Sequence, residues 1–313
     1  MLLVVAVGGN ALLQRGEVPL AQTQEKNVAV AVRALAPLAA DHDLVITYGD
    51  GPQVGLLANE SYADPVLPFP YPLDVLVAQT QGMIGYFLLQ AFGNALPGRQ
   101  VASLICQTKV APDDPAFGRP AKFIGPDYPE AEARRLAGLR GWQIRPDGPA
   151  WRRVVASPEP VAIVELPVIR TLVGAGAIVI CAGGGGAPVL QDGDGHFRGA
   201  EAVVDKDLST ALLARDLGAD ALVILTDVAN VETGFGTDAA RAIGRTTPAA
   251  LRALKFPAGS MGPKVEAACR FAEATGKPAV IGQLDDAADL VRGTRGTVVE
   301  PARPAVEATR RLP

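Results

Sequence analysis

The sequence predicts an α/β protein built on a doubly wound, mainly parallel sheet, and three observations predict it. Three short apolar runs each end in a glycine cluster: Leu2 to Val7 before Gly8-Gly9-Asn10, Leu44 to Thr47 before Gly49-Asp50-Gly51, and Ala177 to Ala182 before Gly183 to Gly186. The runs are rich in Val, Ile and Leu and lack alternation, as strands buried on both faces do. Segments with helical spacing of apolar residues separate the early strands, giving β-α-β-α-β in the first third of the chain. Ligands of such sheets bind beyond the carboxyl ends of the strands, where all three glycine clusters fall. Glycine admits positive φ and close backbone approach, so successive N–H groups can converge on an anion. The three turns together suggest a ligand rich in phosphate.

The first strand, Leu2 to Val7, leads to a helix over Thr23 to Ala40 with Val28, Val32 and Leu35 on its apolar face. Leu44 to Thr47 is the second strand. Asp74 is suited to cap a long helix through Leu76, Ile84, Phe87 and Leu88, and Val101 to Cys106 is the third strand. Prolines then recur from Pro112 to Pro160. Proline fixes φ and removes N–H donors, so this stretch cannot be a central sheet. It reads as an excursion over residues 112–160, either a mobile lid subdomain or a passive insertion, with one helix near Glu130 to Leu139. The stretch Val161 to Ala182 contains Glu165, Pro167 and Arg170, so it reads as a helix and strand of a core and not as a membrane span. In the second half Asp205 caps a helix that ends near Gly218. Ala221 to Leu225 is a strand ending in Thr226-Asp227, and Thr247-Pro248 opens a short helix. Gly262 to Thr275 is helical, Gly276 stops it, and Pro278 to Ile281 is a strand. One continuous body with two lobes, 1–190 and 191–313, is expected.

Composition narrows the function. A net charge of −4 over 313 residues lacks the basic footprint of a nucleic-acid or membrane-surface binder. Three cysteines, Cys106, Cys181 and Cys269, without CxxC spacing fit a reducing, cytoplasmic setting and small core side chains. With two histidines, His42 and His196, in polar loop contexts, neither a histidine metal site nor a Ser-His-Asp triad is expected.

Phosphoryl transfer needs anion cradles and cations, and often no histidine. The chain has no GxxxxGK[ST] loop, no protein-kinase signature set and no GxGxxG after a strand. Its candidate cations are Lys122 in the excursion, Lys206 between Asp205 and Asp207 at a helix start, and Lys264, which opens another helix. A lysine at a helix N-terminus opposes the macrodipole, which hints at an anion nearby. Each lysine alone also reads as a solvated surface charge, and each glycine cluster alone as a tight turn.

Several strings, in order along nearly the whole chain, resemble the carbamate kinases of the amino-acid-kinase superfamily. They include Val7 to Leu12, Gly49 to Gly55, Gln79 to Tyr86, Lys122 with Ile124-Gly125-Pro126, Trp151 to Pro158, Gly183 to Gly186, Glu201 to Asp207, Leu222 to Thr226, and Gly259-Ser260-Met261 with Lys264 to Ala268. The resemblance implies an open α/β/α sandwich with a mainly parallel central sheet and a small protruding lid, forming a homodimer. It implies reversible phosphoryl transfer between ATP and carbamate with Mg²⁺, the acceptor on the first lobe and the nucleotide on the second. Lys122 and Lys206 would neutralise the moving phosphoryl, Asp207 would orient the lysines, and Lys264 would reach the nucleotide phosphates. Gly8, Gly9, Asn10, Gly49, Asp50, Gly51, Gln53, Gly183, Gly184 and Gly185 would hold the acceptor and phosphate. Thr226, Asp227, Phe235 and Met261 would lie near the nucleotide, and no protein side chain is expected to ligate the metal. The chain departs from the family's usual strings at Tyr48 and Asp50 (usually His and Asn), at Phe123 (usually Pro) and at Pro149 (usually Arg). By the resemblance, all lie on the side that would hold the acceptor. Two alternatives therefore stand beside carbamate: transfer to another small acid or carbamoyl compound, and a non-catalytic nucleotide sensor.

Overall fold

The structure is a computed structural model that describes residues 1–14, 16–256 and 261–301. Its centre is an eight-stranded sheet. In spatial order the strands are Arg245–Thr246, Thr297–Val299, Ala279–Gln283, Ala221–Thr226, Leu2–Val7, Asp43–Tyr48, Ile178–Ile180 and Val101–Ser103. Thr297–Val299 runs antiparallel to Ala279–Gln283 and pairs in parallel with Arg245–Thr246, so these two run against the other six.

The missing alternation in the strands has a direct cause. Leu3, Val5 and Val7 face one core with Leu44, Ile46 and Tyr48, while Val4 and Ala6 face a second core with Val45 and Val179. Helices Ala21–Leu35 and Leu73–Ala95 cover the first face through Val28, Val32, Ile84 and Leu88. Helices Leu166–Gly174, Lys206–Leu217 and Met261–Thr275 cover the second through Ile169, Leu213 and Phe271. The result is an open α/β/α sandwich. Among the described residues Leu73–Ala95 is the one helix long and apolar enough to cross a membrane, and its buried stripe packs on the sheet.

Some elements differ from expectation. The first helix stops at Leu35, because Pro37 turns Ala36–Ala40 into a 3₁₀ segment. Asp74 does not cap the long helix. Pro72 is the N-cap and Asp74 sits in the first turn, where its charge still favours the dipole. The run Val101 to Cys106 splits: Val101–Ser103 joins the main sheet, and the chain then leaves it to form Gln107–Val110. That strand lies in a second sheet ordered Phe197–Gly199, Ala187–Gln191, Gln107–Val110, Pro160–Ile163. The proline-rich stretch holds, besides helix Glu130–Arg140, a three-stranded antiparallel sheet of Lys122–Tyr128, Ala150–Val155 and Gln143–Asp147. Its prolines fall where a missing N–H costs little: Pro146 is on an edge strand, and Pro126 lies where the pairing register shifts. Helix Gly51–Ala63, which begins Gly-Pro and carries Gly55, follows the second glycine turn.

Candidate active site

The glycine turns meet at the carboxyl ends of the central strands. Gly9–Ala11 forms a 3₁₀ turn directly after the first strand. Gly49 lies so close to it that a Cβ there would be 3.0 Å from the Gly9 nitrogen and 3.6 Å from the Lys206 stem. Asn10 Nδ2 donates to Asp227 Oδ2 at 3.4 Å, and Thr226 Oγ1 donates to Asp227 Oδ1 at 3.1 Å. These two bonds tie the first glycine turn to the end of strand Ala221–Thr226.

The charged cluster is built on one helix start. Asp205 is the N-cap of helix Lys206–Leu217, and its Oδ1 accepts from the Asp207 and Leu208 backbone N–H groups at 2.9 and 3.3 Å. Its Oδ2 is left to accept from Lys122 Nζ, which reaches over from strand Lys122–Tyr128. Asp207 is two-headed. Lys206 Nζ lies 2.9 Å from Oδ1 and also donates to the Val7 carbonyl at 3.3 Å, while Lys264 Nζ donates to Oδ2 at 2.9 Å. Lysine at two helix starts is thus offset by aspartate inside the protein, and three ammonium groups are gathered against two carboxylates.

Burial would raise the Asp207 pKa, but Lys206 and Lys264 outweigh it and hold the carboxyl well below its usual range. Burial lowers the Lys206 pKa, with Lys264 adding to the effect and Asp207 opposing it. Burial also pulls Lys122 down, but Asp205, Asp207 and Asp50 together reverse it, leaving Lys122 above an ordinary lysine. Such a cluster can stabilise negative charge that builds up on a transferred group.

Asp50 has a different setting. It stands at the N-cap of helix Gly51–Ala63 yet makes no capping bond with its side chain. The carboxyl is 1% exposed. Its Oδ2 accepts from Thr80 Oγ1 at 2.6 Å, and its Oδ1 finds no hydrogen-bond partner among the described residues. Burial pushes its pKa up to about 6, against the Thr80 hydroxyl, its own backbone and Lys122.

The four-glycine run is buried, and its neighbours explain it. A Cβ at Gly183 would lie 2.4 Å from the Tyr48 ring, at Gly184 2.2 Å from Asp50 Oδ1, at Gly185 2.9 Å from the Val204 carbonyl, and at Gly186 2.2 Å from Thr108 Oγ1. Gly184, Gly185 and Gly186 also have positive φ. Gln53 is buried and donates to Gln24 Oε1 at 3.0 Å. Met261 packs against the second core, whereas Phe235 is 68% exposed, on the segment between Glu232–Thr233 and Arg241–Ala242. Gly259 and Ser260 lie outside the described residues.

Sequence reasoning did not single out the residues that brace the turns. Thr80 holds Asp50, and Gln81 exchanges two bonds with Cys106, through Nε2 to its carbonyl at 3.1 Å and through Oε1 from its N–H at 2.9 Å. Thr108 and Ser209 both donate to the Gly185 carbonyl, at 2.6 and 2.9 Å. The signal was present in part: Thr80 and Gln81 lie within Gln79 to Tyr86, one of the strings that carried the resemblance, and both are buried polar residues on an otherwise apolar helix face.

Ammonium groups gathered beside glycine turns, at the carboxyl ends of a parallel sheet, define a protein that handles phosphoryl groups. A model of the amino acid kinase family matches residues 1–283. The chain is 51% identical over 303 residues to a carbamate kinase of Rhizobium meliloti, covering 96% of this chain and 93% of the relative. It is 49% identical over 297 residues to one of Escherichia coli K12, with 95% and 98% covered. Among solved structures, the Giardia lamblia carbamate kinase bound to citric acid matches with a TM-score of 0.90 at 40% identity, covering 96% of this chain and 98% of that one. The same enzyme bound to AMP-PNP gives a TM-score of 0.87 at 39% identity, with equal coverage. The chain belongs to the amino acid kinase family and, within it, to the carbamate kinases.

Proposed function

We propose that the protein transfers a phosphoryl group reversibly between ATP and carbamate. The single observation that carries the residue assignment is the Lys206–Asp207–Lys264 cluster with Lys122 held alongside by Asp205. In this reading Lys206 and Lys122 draw negative charge from the moving phosphoryl, and Lys264 meets the nucleotide phosphates. Asp207 keeps the two lysine side chains in place, one on each of its oxygens. Positioning and electrostatics of this kind supply most of the catalysis in phosphoryl transfer. Gly8, Gly9, Asn10 and Gly49 to Gly51 form the acceptor side, in lobe 1–190. Thr226, Asp227, Phe235 and Met261 form the nucleotide side, in lobe 191–313.

Mg²⁺ enters as part of the MgATP or MgADP substrate. Asp205 and Asp207 are both engaged by lysine, which suits an ion bound chiefly by nucleotide phosphates and water. A homodimer, which rests on the resemblance, and a cytoplasmic location, which rests on the three cysteines without CxxC spacing, belong to the same proposal.

The test is ATP formation from carbamoyl phosphate and MgADP, with acetyl phosphate as the comparison donor. Lys206→Ala should remain folded and lose two to three decades in kcat, the cost of about 3–4 kcal/mol when one cation is removed from a preorganised site. No ATP from carbamoyl phosphate would overturn the reaction, and near-normal turnover of Lys206→Ala would overturn the assignment.

A further inference from the structure

Lys122 is carried by a subdomain that is seated on helix Gly51–Ala63 at a contact between two glycines. One face of that helix presents Gly55, Asn59 and Tyr62, spaced as i, i+4 and i+7. Asn59 Nδ2 donates to the Tyr128 hydroxyl at 3.0 Å, and Arg140 Nη1 donates to Asn59 Oδ1 at 2.9 Å. Trp142 Nε1 donates to the Tyr62 hydroxyl at 3.2 Å, and the Arg140 guanidinium lies 4.6 Å from the Tyr62 ring centre. At the end of this face nearest the second glycine turn, the two backbones touch. A Cβ at Gly55 would lie 1.9 Å from the Gly125 Cα and 2.3 Å from its nitrogen.

The other side of the contact is equally fixed. Gly125 has a φ of +73°, open to glycine and strained for other residues. Its carbonyl accepts from Arg152 Nη2 at 2.8 Å. Arg152 is itself held by Asp147 at 3.0 Å and Asp127 at 3.4 Å, and its guanidinium lies over the Phe123 ring. Lys122 is three residues away on the same strand, paired opposite Val155. Phe123 and Ile124 are paired as well, opposite Val154 and Arg153, and Gly125 follows them directly where the register shifts, so a shift at Gly125 is passed to Lys122 along about 10 Å of the same strand.

We propose that the Gly55–Gly125 contact is the seat that sets the reach of Lys122, and that Gly55 is a positioning residue for phosphoryl transfer acting through Lys122. The inference rests on the role proposed for Lys122. A methyl group at Gly55 must push Gly125 away by roughly 1.5–2 Å to restore an ordinary carbon–carbon contact. Misplacement on the order of 1 Å in a catalytic constellation costs about 100-fold.

The experiment is a double-mutant cycle of Gly55→Ala and Lys122→Ala, read by ATP formation from carbamoyl phosphate and MgADP. Gly55→Ala should lower kcat about 100-fold while leaving the KM for ADP within about twofold. In the Lys122→Ala background it should cause almost no further loss. Independent, multiplying losses would overturn the seat and assign Gly55 to the fold or to the neighbouring glycine turn. Asn59→Ala loosens the same interface without a backbone clash. It should show a smaller loss, about fivefold, that also vanishes in Lys122→Ala, and it decides the matter if Gly55→Ala does not fold. Full turnover of Lys122→Ala would overturn both the role of Lys122 and the seat. Full turnover of Gly55→Ala beside a crippled Lys122→Ala would overturn the seat alone.

Discussion

Replacing Asp50 by Asn should stabilise the protein in a pH-dependent way. The buried carboxyl has its pKa pushed from the ordinary 3.8 up to about 6. The unfolded chain releases the Asp50 proton near pH 4, whereas the folded chain keeps it until about pH 6. Stability is therefore unaffected below pH 4, falls as pH rises through this window, and stays reduced above it. At 1.36 kcal/mol per pH unit the loss amounts to about 3 kcal/mol. The geometry agrees. Thr80 Oγ1 lies 2.6 Å from Asp50 Oδ2 and 2.8 Å from the Val77 carbonyl, but its single hydrogen serves one of them. When Asp50 is protonated it donates to Thr80, and Thr80 donates to Val77, so both contacts are made. An Asn amide reproduces that donor without charge. Urea unfolding of wild type and Asp50→Asn from pH 4.5 to pH 8 checks the reasoning. The variant's advantage should grow with pH and level off above pH 7. A constant difference across the range would refute it. Ionised Asp50 also adds negative charge among the glycine turns, so kcat/KM for carbamoyl phosphate in Asp50→Asn should exceed that of wild type above pH 6, by about tenfold.

Gly184→Ala should lower the urea midpoint sharply, since it combines a φ of +63° with a Cβ placed 2.2 Å from Asp50 Oδ1, strain worth at least about 1–3 kcal/mol. Adding Asp50→Gly should restore part of the loss, and no restoration would show that Asp50 is not the obstacle. Asp205→Ala should cost about 1 kcal/mol through the lost cap, while Asp205→Asn keeps the cap and the melting temperature. Both should cut turnover to a similar degree because both release Lys122. Full activity of Asp205→Asn would show that the Lys122 pair is dispensable.

Six strands of the central sheet were legible as short apolar runs, whereas Arg245–Thr246 and Thr297–Val299, the two that run against them, were not read from the sequence. Leu2–Val7 and Ala221–Thr226 need no alternation to be read, and Asp205 with Gly218 marks both ends of a helix by local chemistry alone. The second sheet was not legible. Gln107–Val110 and Ala187–Gln191 are short, and Pro188 interrupts the latter, so only long-range pairing makes them strands. Helix Gly51–Ala63 was hidden for a related reason. Gly51, Pro52 and Gly55 are loop residues by propensity, yet Pro52 fits a first turn and Gly55 is required by the backbone it meets. In the site, residue types announced the lysines and aspartates. Which aspartate held which lysine depended on Lys122 arriving from 83 positions away in sequence.

The four-glycine run carries the same lesson about tertiary context. As sequence it reads as a loop emptied of side chains so that a phosphate can approach. In the fold, the space at Gly183 is filled by the Tyr48 ring, which is 1% exposed and whose hydroxyl donates to the Gln81 carbonyl at 3.0 Å. The space at Gly184 is filled by Asp50. Tyr48 and Asp50 are the two positions of the second glycine turn that depart from the family's usual residues, and they press on consecutive glycines of the third. The departures therefore form one packed unit, not two separate changes to a binding surface. Burial also raises the Tyr48 pKa, with Asp50 adding to the effect, so an uncharged phenol beside a carboxyl poised near pH 6 is the state this packing favours. A neutral Asp50 offers the hydrogen-bonding shape of the asparagine usual at this position. Carbamate as acceptor is then compatible with this chain's own residues below about pH 6, and the cost of the departure is felt in both stability and kcat/KM as pH rises through that value.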